Sequence, residues 1–175
     1  MVVDEKIEEA RYFLDKIKKA TERKHFIPNL SAYLSATRSI PDYLLEDYKV
    51  KYGLKISLDK TLNKDIFEEV ARKRNNPNAI AFIKGYNNNF KKLKRDKIAK
   101  LLLTKRNIRV HRTDLPLQKN VSASIIENVD KHSTVLDTTV KWLFDDYKEA
   151  DVIGLCKEFL RLMNDFVKNV TTKFP

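Results

Sequence analysis

The stretch Asp96–His111 reads DKIAKLLLTKRNIRVH and combines a helical apolar pattern with a dense set of cations. Ile98, Leu101 and Leu102 recur at i, i+3 and i+4, the spacing that places side chains on one side of an α-helix. Asp96 stands just before this pattern, where a short carboxylate can accept hydrogen bonds from the first free backbone N–H groups. The sequence therefore predicts a helix that begins after Asp96 and ends near His111.

Positive charge is concentrated around this predicted helix. From Lys84 to Arg112 the chain contains eleven Lys or Arg and a single acid, Asp96, and this segment accounts for +10 of the net charge of +11. A local basic field of this kind is typical of a surface that meets a polyanion. The sequence therefore indicates a surface that binds a polyanion such as a nucleic acid.

The composition predicts a mainly helical chain forming one domain over residues 1–175. Hydrophobic residues make up 42% of 175 residues, enough for one core, and only three Gly and five Pro are present. Apolar spacing predicts a first helix capped by Asp4 and a second, antiparallel to it, that opens at Pro28 and Asn29. β-Branched residues later in the chain predict a small hairpin. The predicted ranges are helices at 4–23, 63–74, 78–94 and 149–171, and a hairpin at about 120–142.

The sequence also predicts where the protein is located. Cys156 is the only cysteine, and its neighbours have the spacing of a buried helix side, so we expect a core thiol rather than a nucleophile. The amino terminus is acidic and lacks the apolar segment of a signal peptide. No apolar stretch approaches the roughly 20 residues that cross a bilayer. We expect a cytoplasmic protein without a membrane partner.

The end of the basic helix resembles a known family. Arg106-Asn107-Ile108-Arg109-Val110-His111 is similar to the arginine–histidine motif of the HEPN superfamily, the higher eukaryote and prokaryote nucleotide-binding domains. Residues 34–39, 82–86, 115–117 and 144–146 are similar to a poorly characterised prokaryotic group of that superfamily. The resemblance implies an antiparallel bundle of four to six helices, and a metal-independent endoribonuclease that leaves 2′,3′-cyclic phosphate ends.

The resemblance also implies roles for the motif residues. Cleavage without a metal needs a base for the ribose 2′-hydroxyl, an acid for the leaving oxygen and a cation for the charge that grows on phosphorus. His111 is expected to be the acid–base residue, Arg106 the transition-state stabiliser and Asn107 a positioning group. One histidine does not easily serve as acid and base together, and the family solves this with a two-fold homodimer that joins two motifs at one cleft.

The basic residues around the motif are expected to bind RNA phosphates. Arg38 on the second helix is a weaker candidate, because an ordinary salt bridge explains it as well. Asp145, Asp146, Glu149 and Asp151 lack histidine or cysteine at ligand spacing, so we expect helix capping there and neither a metal nor another cofactor. The expected RNA-binding residues are Arg38, Lys91, Lys92, Lys94, Arg95, Arg109 and Arg112.

A second interpretation is open. Arg106 and Arg109 can be solvated helix residues, with His111 stabilised by the dipole at the helix end. The chain would then be a non-catalytic module that binds a nucleotide, an RNA or a protein. An antitoxin or a nucleotidyltransferase is the kind of protein partner that the resemblance suggests.

Overall fold

The computed structural model describes residues 1–56, 61–111, 115, 117–128 and 133–175, without the side chains at 108–111, 124–128 and 133–138. Within these residues the mainly helical class with a small hairpin is confirmed. The described chain contains six helices and one two-stranded antiparallel sheet, which lies between the fifth and sixth helices in sequence. They are α1 (Val2–Lys19), α2 (Arg23–Lys51), α3 (Lys64–Lys73), α4 (Pro77–Arg95), α5 (Lys97–His111), β1 (Leu117–Asn128), β2 (Ser133–Phe144) and α6 (Val152–Lys173).

Helices α1 and α2 form an antiparallel pair that a single carboxylate joins at one end. Asp47, near the end of α2, accepts hydrogen bonds of 2.9 Å from the backbone N–H groups of Val2 and Val3. These are among the donors that the first turn of a helix leaves free. The prediction that Asp4 caps α1 is wrong, because the helix begins at Val2 and Asp4 lies inside its first turn.

Helix α2 begins at Arg23, so the prediction that it opens at Pro28 is also wrong. Pro28 and Pro41 both lie inside this helix. Each proline removes a backbone donor and costs about 3 kcal/mol in a helix interior. Phe26 and Leu30 are fully buried on either side of Pro28, and tertiary packing of such an apolar side contributes most of a helix's stability. The helix therefore continues through both prolines.

Asparagine and aspartate side chains set the remaining helix starts. Asn63 caps α3 and Asn76 caps α4, in agreement with the ranges predicted at 63–74 and 78–94. Asp96 caps α5, as predicted, by accepting from the N–H groups of Ile98 at 2.8 Å and Ala99 at 3.0 Å. Helix α6 starts later than the predicted residue 149, because Asp151 is its cap and accepts from Gly154 N–H at 3.2 Å.

The hairpin is longer than the predicted 120–142, and its base packs on the helices. Leu117 pairs with Phe144 at the base, and Asn128 pairs with Ser133 at the other end. Trp142 stacks on Phe26 with ring centroids 4.4 Å apart. Arg23 donates hydrogen bonds to the carbonyl oxygens of Leu117 at 2.9 Å and Leu115 at 3.3 Å. The start of α2 therefore holds the segment that follows α5.

The core contains an aromatic cluster and a buried thiol. Phe82 of α4 stacks on Tyr48 with centroids 4.0 Å apart, and Phe67, Tyr86 and Phe174 surround it. Cys156 is fully buried, and burial raises the pKa of its thiol well above the ordinary value, so the predicted core role is confirmed. In the part of the chain that is described, no helix has the length and apolarity needed to span a bilayer.

Candidate nucleic-acid interface

Helix α5 presents different residues to the core and to solvent. Ala99 and Leu102 are buried, and Arg106, seven residues after Ala99, is half-buried on the same side. Asn107 is exposed instead. The two neighbouring residues of the predicted motif therefore lie on different sides of α5.

Asn107 lines a concave surface between α5 and the end of α4, which we call the near recess. Its volume is about 460 Å³. Among the described residues that line it, one is apolar and none is acidic. The lining residues are Lys94, Arg95, Lys100, Leu103, Thr104 and Asn107.

Two polar residues of this recess were not predicted as site residues. Lys100 and Thr104 stand at i and i+4 on α5, and Asn107 follows at i+7, so the three share one side of the helix. The i, i+4, i+7 spacing could have been recognised in the sequence. Lys100 lines the same recess as the predicted residues Lys94 and Arg95.

The predicted basic residues of α4 all extend into solvent. Lys91, Lys92, Lys94 and Arg95 are exposed, and none of them forms an ion pair with any residue that the structure describes. The ammonium group of Lys94 lies 4.6 Å from the centre of the Phe90 ring, a contact that leaves its charge available. The end of α4 is therefore a surface of uncompensated positive charge.

Arg106 extends toward α2. Its Nε is completely buried and has no hydrogen-bond partner in the described part of the chain, while its Nη1 is 3.5 Å from Asn107 Oδ1. Partial burial raises the pKa of the Asp42 carboxyl, and the charges of Arg38 and Arg106 oppose that shift. Arg106 thus lies near Asp42 with a donor left unsatisfied, which is unusual because buried donors are nearly always paired.

Arg38 is placed near Arg106 by the same contact. Its Nη1 lies 3.3 Å from Asp42 Oδ2, one turn along α2. The structure therefore gives Arg38 the ordinary salt bridge that was its alternative explanation, and also brings it to the side of α2 that Arg106 approaches. A phosphate-binding role for Arg38 stays a prediction.

His111 is the last residue of α5. Its side chain and that of Arg109 lie outside the described residues, and Arg112 lies outside them entirely. The structure therefore places Asn107 at the basic end of α4, and Arg106 close enough to Asp42, the ion-pair partner of Arg38, for its charge to act on that carboxyl. Whether the Arg106 and His111 side chains converge stays a prediction.

Lys105 is a residue of this region that the sequence did not single out. Its side chain is 1% exposed, its ammonium group contacts the Asp146 carboxylate, and it lies 4.8 Å from the centre of the Phe144 ring. The expected capping by the acidic cluster at 145–151 is confirmed at Asp151, whereas Asp146 pairs with Lys105. The contact fixes α5 to the base of the hairpin.

The described residues include no group of three or more His, Cys, Asp or Glu arranged to hold a metal ion. Comparison of the chain with protein-family models, curated proteins and solved structures found no match. The resemblance to the HEPN superfamily stays a prediction that depends on the residues quoted above.

Proposed function

We propose that the protein is a metal-independent RNA endonuclease of HEPN type, which binds the RNA backbone on the basic end of α4 and cuts it at the end of α5. The observation that supports this best is the near recess. It joins unpaired cations to Asn107, a residue of the expected motif. A phosphodiester held by those cations would lie next to Asn107, the expected positioning group.

The proposed reaction is transesterification at phosphorus. The 2′-hydroxyl loses its proton to His111 and attacks the adjacent phosphorus, the bond to the 5′-oxygen breaks, and that oxygen takes up a proton. In this proposal the Arg106 guanidinium neutralises the charge on the phosphoryl oxygens through its Nη groups, because its Nε is buried. In a homodimer, the histidine of a second copy would supply the proton to the leaving oxygen.

The alternative is a non-catalytic module, and one observation favours it. The Arg106 guanidinium lies near Asp42 and Arg38, while Asn107 faces the near recess. Arg106 would then help to hold α5 against α2. The basic end of α4 would bind RNA, or an acidic partner such as an antitoxin or a nucleotidyltransferase, without cutting anything.

One experiment separates the two functions. The parent protein, His111→Ala and a matched control, His25→Ala, are incubated with labelled RNA in excess EDTA. His25 is exposed at the start of α2, so its loss changes histidine content without touching α5. Enzyme function predicts that His111→Ala is slower by about 100-fold or more, that His25→Ala equals the parent, and that products end in 2′,3′-cyclic phosphate.

Two results would contradict cleavage by this motif. Equal cleavage by the parent and His111→Ala would assign the activity to other residues or to a contaminant. Binding of RNA by all three proteins without cleavage would establish the module instead.

A further inference from the structure

A second basic recess lies on the other side of Arg95. This far recess has a volume of about 350 Å³, and its lining includes Asn88, Lys91, Lys92, Arg95 and Lys173. The four residues of α4 stand at i, i+3, i+4 and i+7, so they form one stripe along the helix. Lys173 comes from the end of α6. Arg95 lines both recesses, so the two are neighbours along α4.

The position of Lys173 is fixed by close packing. A Cβ atom on Gly85 would lie 2.4 Å from Cε2 of Phe174, so glycine at position 85 allows that ring to lie against α4. The carbonyl oxygen of Phe174 accepts hydrogen bonds from the Tyr48 hydroxyl at 2.5 Å and from Lys51 Nζ at 3.1 Å. The end of α6 is therefore held beside the stripe of α4, and Lys173 closes the recess.

The chemistry of the far recess matches a nucleotide. Lys91, Lys92, Arg95 and Lys173 form no ion pair with a residue in the described ranges, and these cations suit phosphate groups. Asn88 is exposed among them. An amide both donates and accepts, as recognition of ribose hydroxyls and base edges requires. A protein partner would need buried apolar anchors, and the described residues that line this recess include no apolar side chain.

We propose that the two recesses form one track for single-stranded RNA, with nucleotides in both recesses and Arg95 beneath the backbone between them. Asn88 and Arg95 are separated by about 10 Å along the helix axis. The recess volumes suit groups the size of a small ligand, which favours separate nucleotides over a rigid duplex. The track deepens the proposed function by directing the strand to Asn107, but RNA binding in it does not require cleavage.

The test uses the full chain with His111→Ala, so that the RNA stays intact. One variant also contains Lys91→Gln, Lys92→Gln and Lys173→Gln. The matched control replaces three exposed lysines elsewhere on the molecule, with Lys19→Gln, Lys55→Gln and Lys148→Gln. The Kd of a labelled oligouridylate is measured over a series of salt concentrations. Three lost phosphate contacts predict that the slope of log K against log salt becomes shallower by about 2. The control set leaves the slope unchanged.

A second variant tests the amide. Asn88→Asp keeps the size of the side chain and adds a negative charge beside four cations, so it weakens oligouridylate binding while circular dichroism stays the same. The matched variant Asn78→Asp, which is also exposed and lies at the other end of α4, leaves binding unchanged.

Three outcomes would overturn the track. They are an equal salt slope in the two lysine sets, equal affinity for an RNA duplex of matched length, and competition by polyglutamate as effective as that by RNA of the same charge. The last would point to an acidic protein partner. Failure of the cleavage test in EDTA leaves the track standing, and failure of the slope test leaves cleavage standing, so the two proposals are distinguishable.

Discussion

Helices α1 and α4 both have many charged residues, but they arrange them in opposite ways. On α1, Lys6 pairs with Glu9, Arg11 with Glu8 and Lys18 with Asp15, each within one turn and at 2.5–2.7 Å. On α4, the residues one turn after Lys91, at i+3 and i+4, are the cations Lys94 and Arg95. No ion pair forms along α4 in the described structure.

The difference indicates that the surface of α4 is arranged for a partner. Opposite charges one turn apart stabilise a helix by a few tenths of a kcal/mol, and like charges destabilise it by about as much. The repulsion along α4 therefore does not stabilise the folded state, and it lowers the free energy of unfolding slightly. A bound polyanion would remove it, which is the expected behaviour of a nucleic-acid surface.

The largest expected effect concerns Lys105, the cation of α5 that is buried and paired. In Lys105→Glu, a second carboxylate would face Asp146 in a buried site, and we expect a loss of about 3–5 kcal/mol in the free energy of unfolding. Urea denaturation measures it. The exposed Lys94, changed to Gln, should leave stability nearly unchanged.

A conservative variant distinguishes burial from charge at the same position. Lys105→Met keeps the apolar stem against Phe144 and removes the ammonium group. Because Asp146 is 63% exposed, it regains water, and the expected loss is about 1 kcal/mol or less. A loss as large as that of Lys105→Glu would show that the ion pair itself stabilises the base of the hairpin.

Charge reversal tests the comparison of α1 and α4 directly. Lys91→Glu creates an acid four residues before Arg95, the favourable order for a helical ion pair, and should raise the free energy of unfolding by about 0.3 kcal/mol. The same change places a negative charge in the far recess, so RNA binding should weaken by an order of magnitude or more. Stability and binding therefore move in opposite directions.

The matched reversal on α1 is Lys18→Glu. It breaks the pair with Asp15 and sets two acids one turn apart, so stability should fall while RNA binding stays within a factor of two or three, as expected of a surface outside the footprint. Equal loss of RNA affinity in the two reversals would mean that net charge, and not the surface of α4, determines binding.

Much of the fold was predictable because its determinants are local. Apolar spacing and the caps Asn63, Asn76 and Asp96 specify α3, α4 and the start of α5 from neighbouring residues alone. The starts of α1 and α2 were not predictable in this way. The first turn of α1 is satisfied by Asp47, which is distant in sequence, and the packing of α2 outweighs the local preference of Pro28 to begin a helix.

The features of the candidate site also divide into those that local sequence predicts and those that depend on contacts between distant segments. The charge of α4 and the side of α5 that Asn107 shares with Lys100 follow from spacing in the sequence. Lys173 reaches the far recess only because Gly85 admits Phe174, and Asp42 meets Arg106 only because α2 lies beside α5. Contacts between distant segments depend on packing, and no local pattern predicts them.

The smallest expected effect is a pH dependence with opposite signs at two carboxylates, Asp42 and Glu158, whose pKa values shift in opposite directions. Partial burial raises the pKa of Asp42, so the folded state binds a proton more readily than the unfolded state. Its contribution to stability is then fully present below the unfolded pKa and is lost as pH rises through the folded pKa. Relative to Asp42→Asn, the parent should gain stability as pH falls from 7 toward 4.

The expected gain is about a few tenths of a kcal/mol, because the Asp42 side chain is 54% exposed and solvent screens it. Glu158 of α6 provides the contrast. A hydrogen bond from Arg161 lowers its pKa, so relative to Glu158→Gln the parent should lose stability as pH falls through the folded pKa. Thermal unfolding of both pairs across this pH range measures the two differences. The same sign in both would mean that the charges of Arg38 and Arg106 outweigh burial at Asp42 and hold its carboxyl in the ionised form.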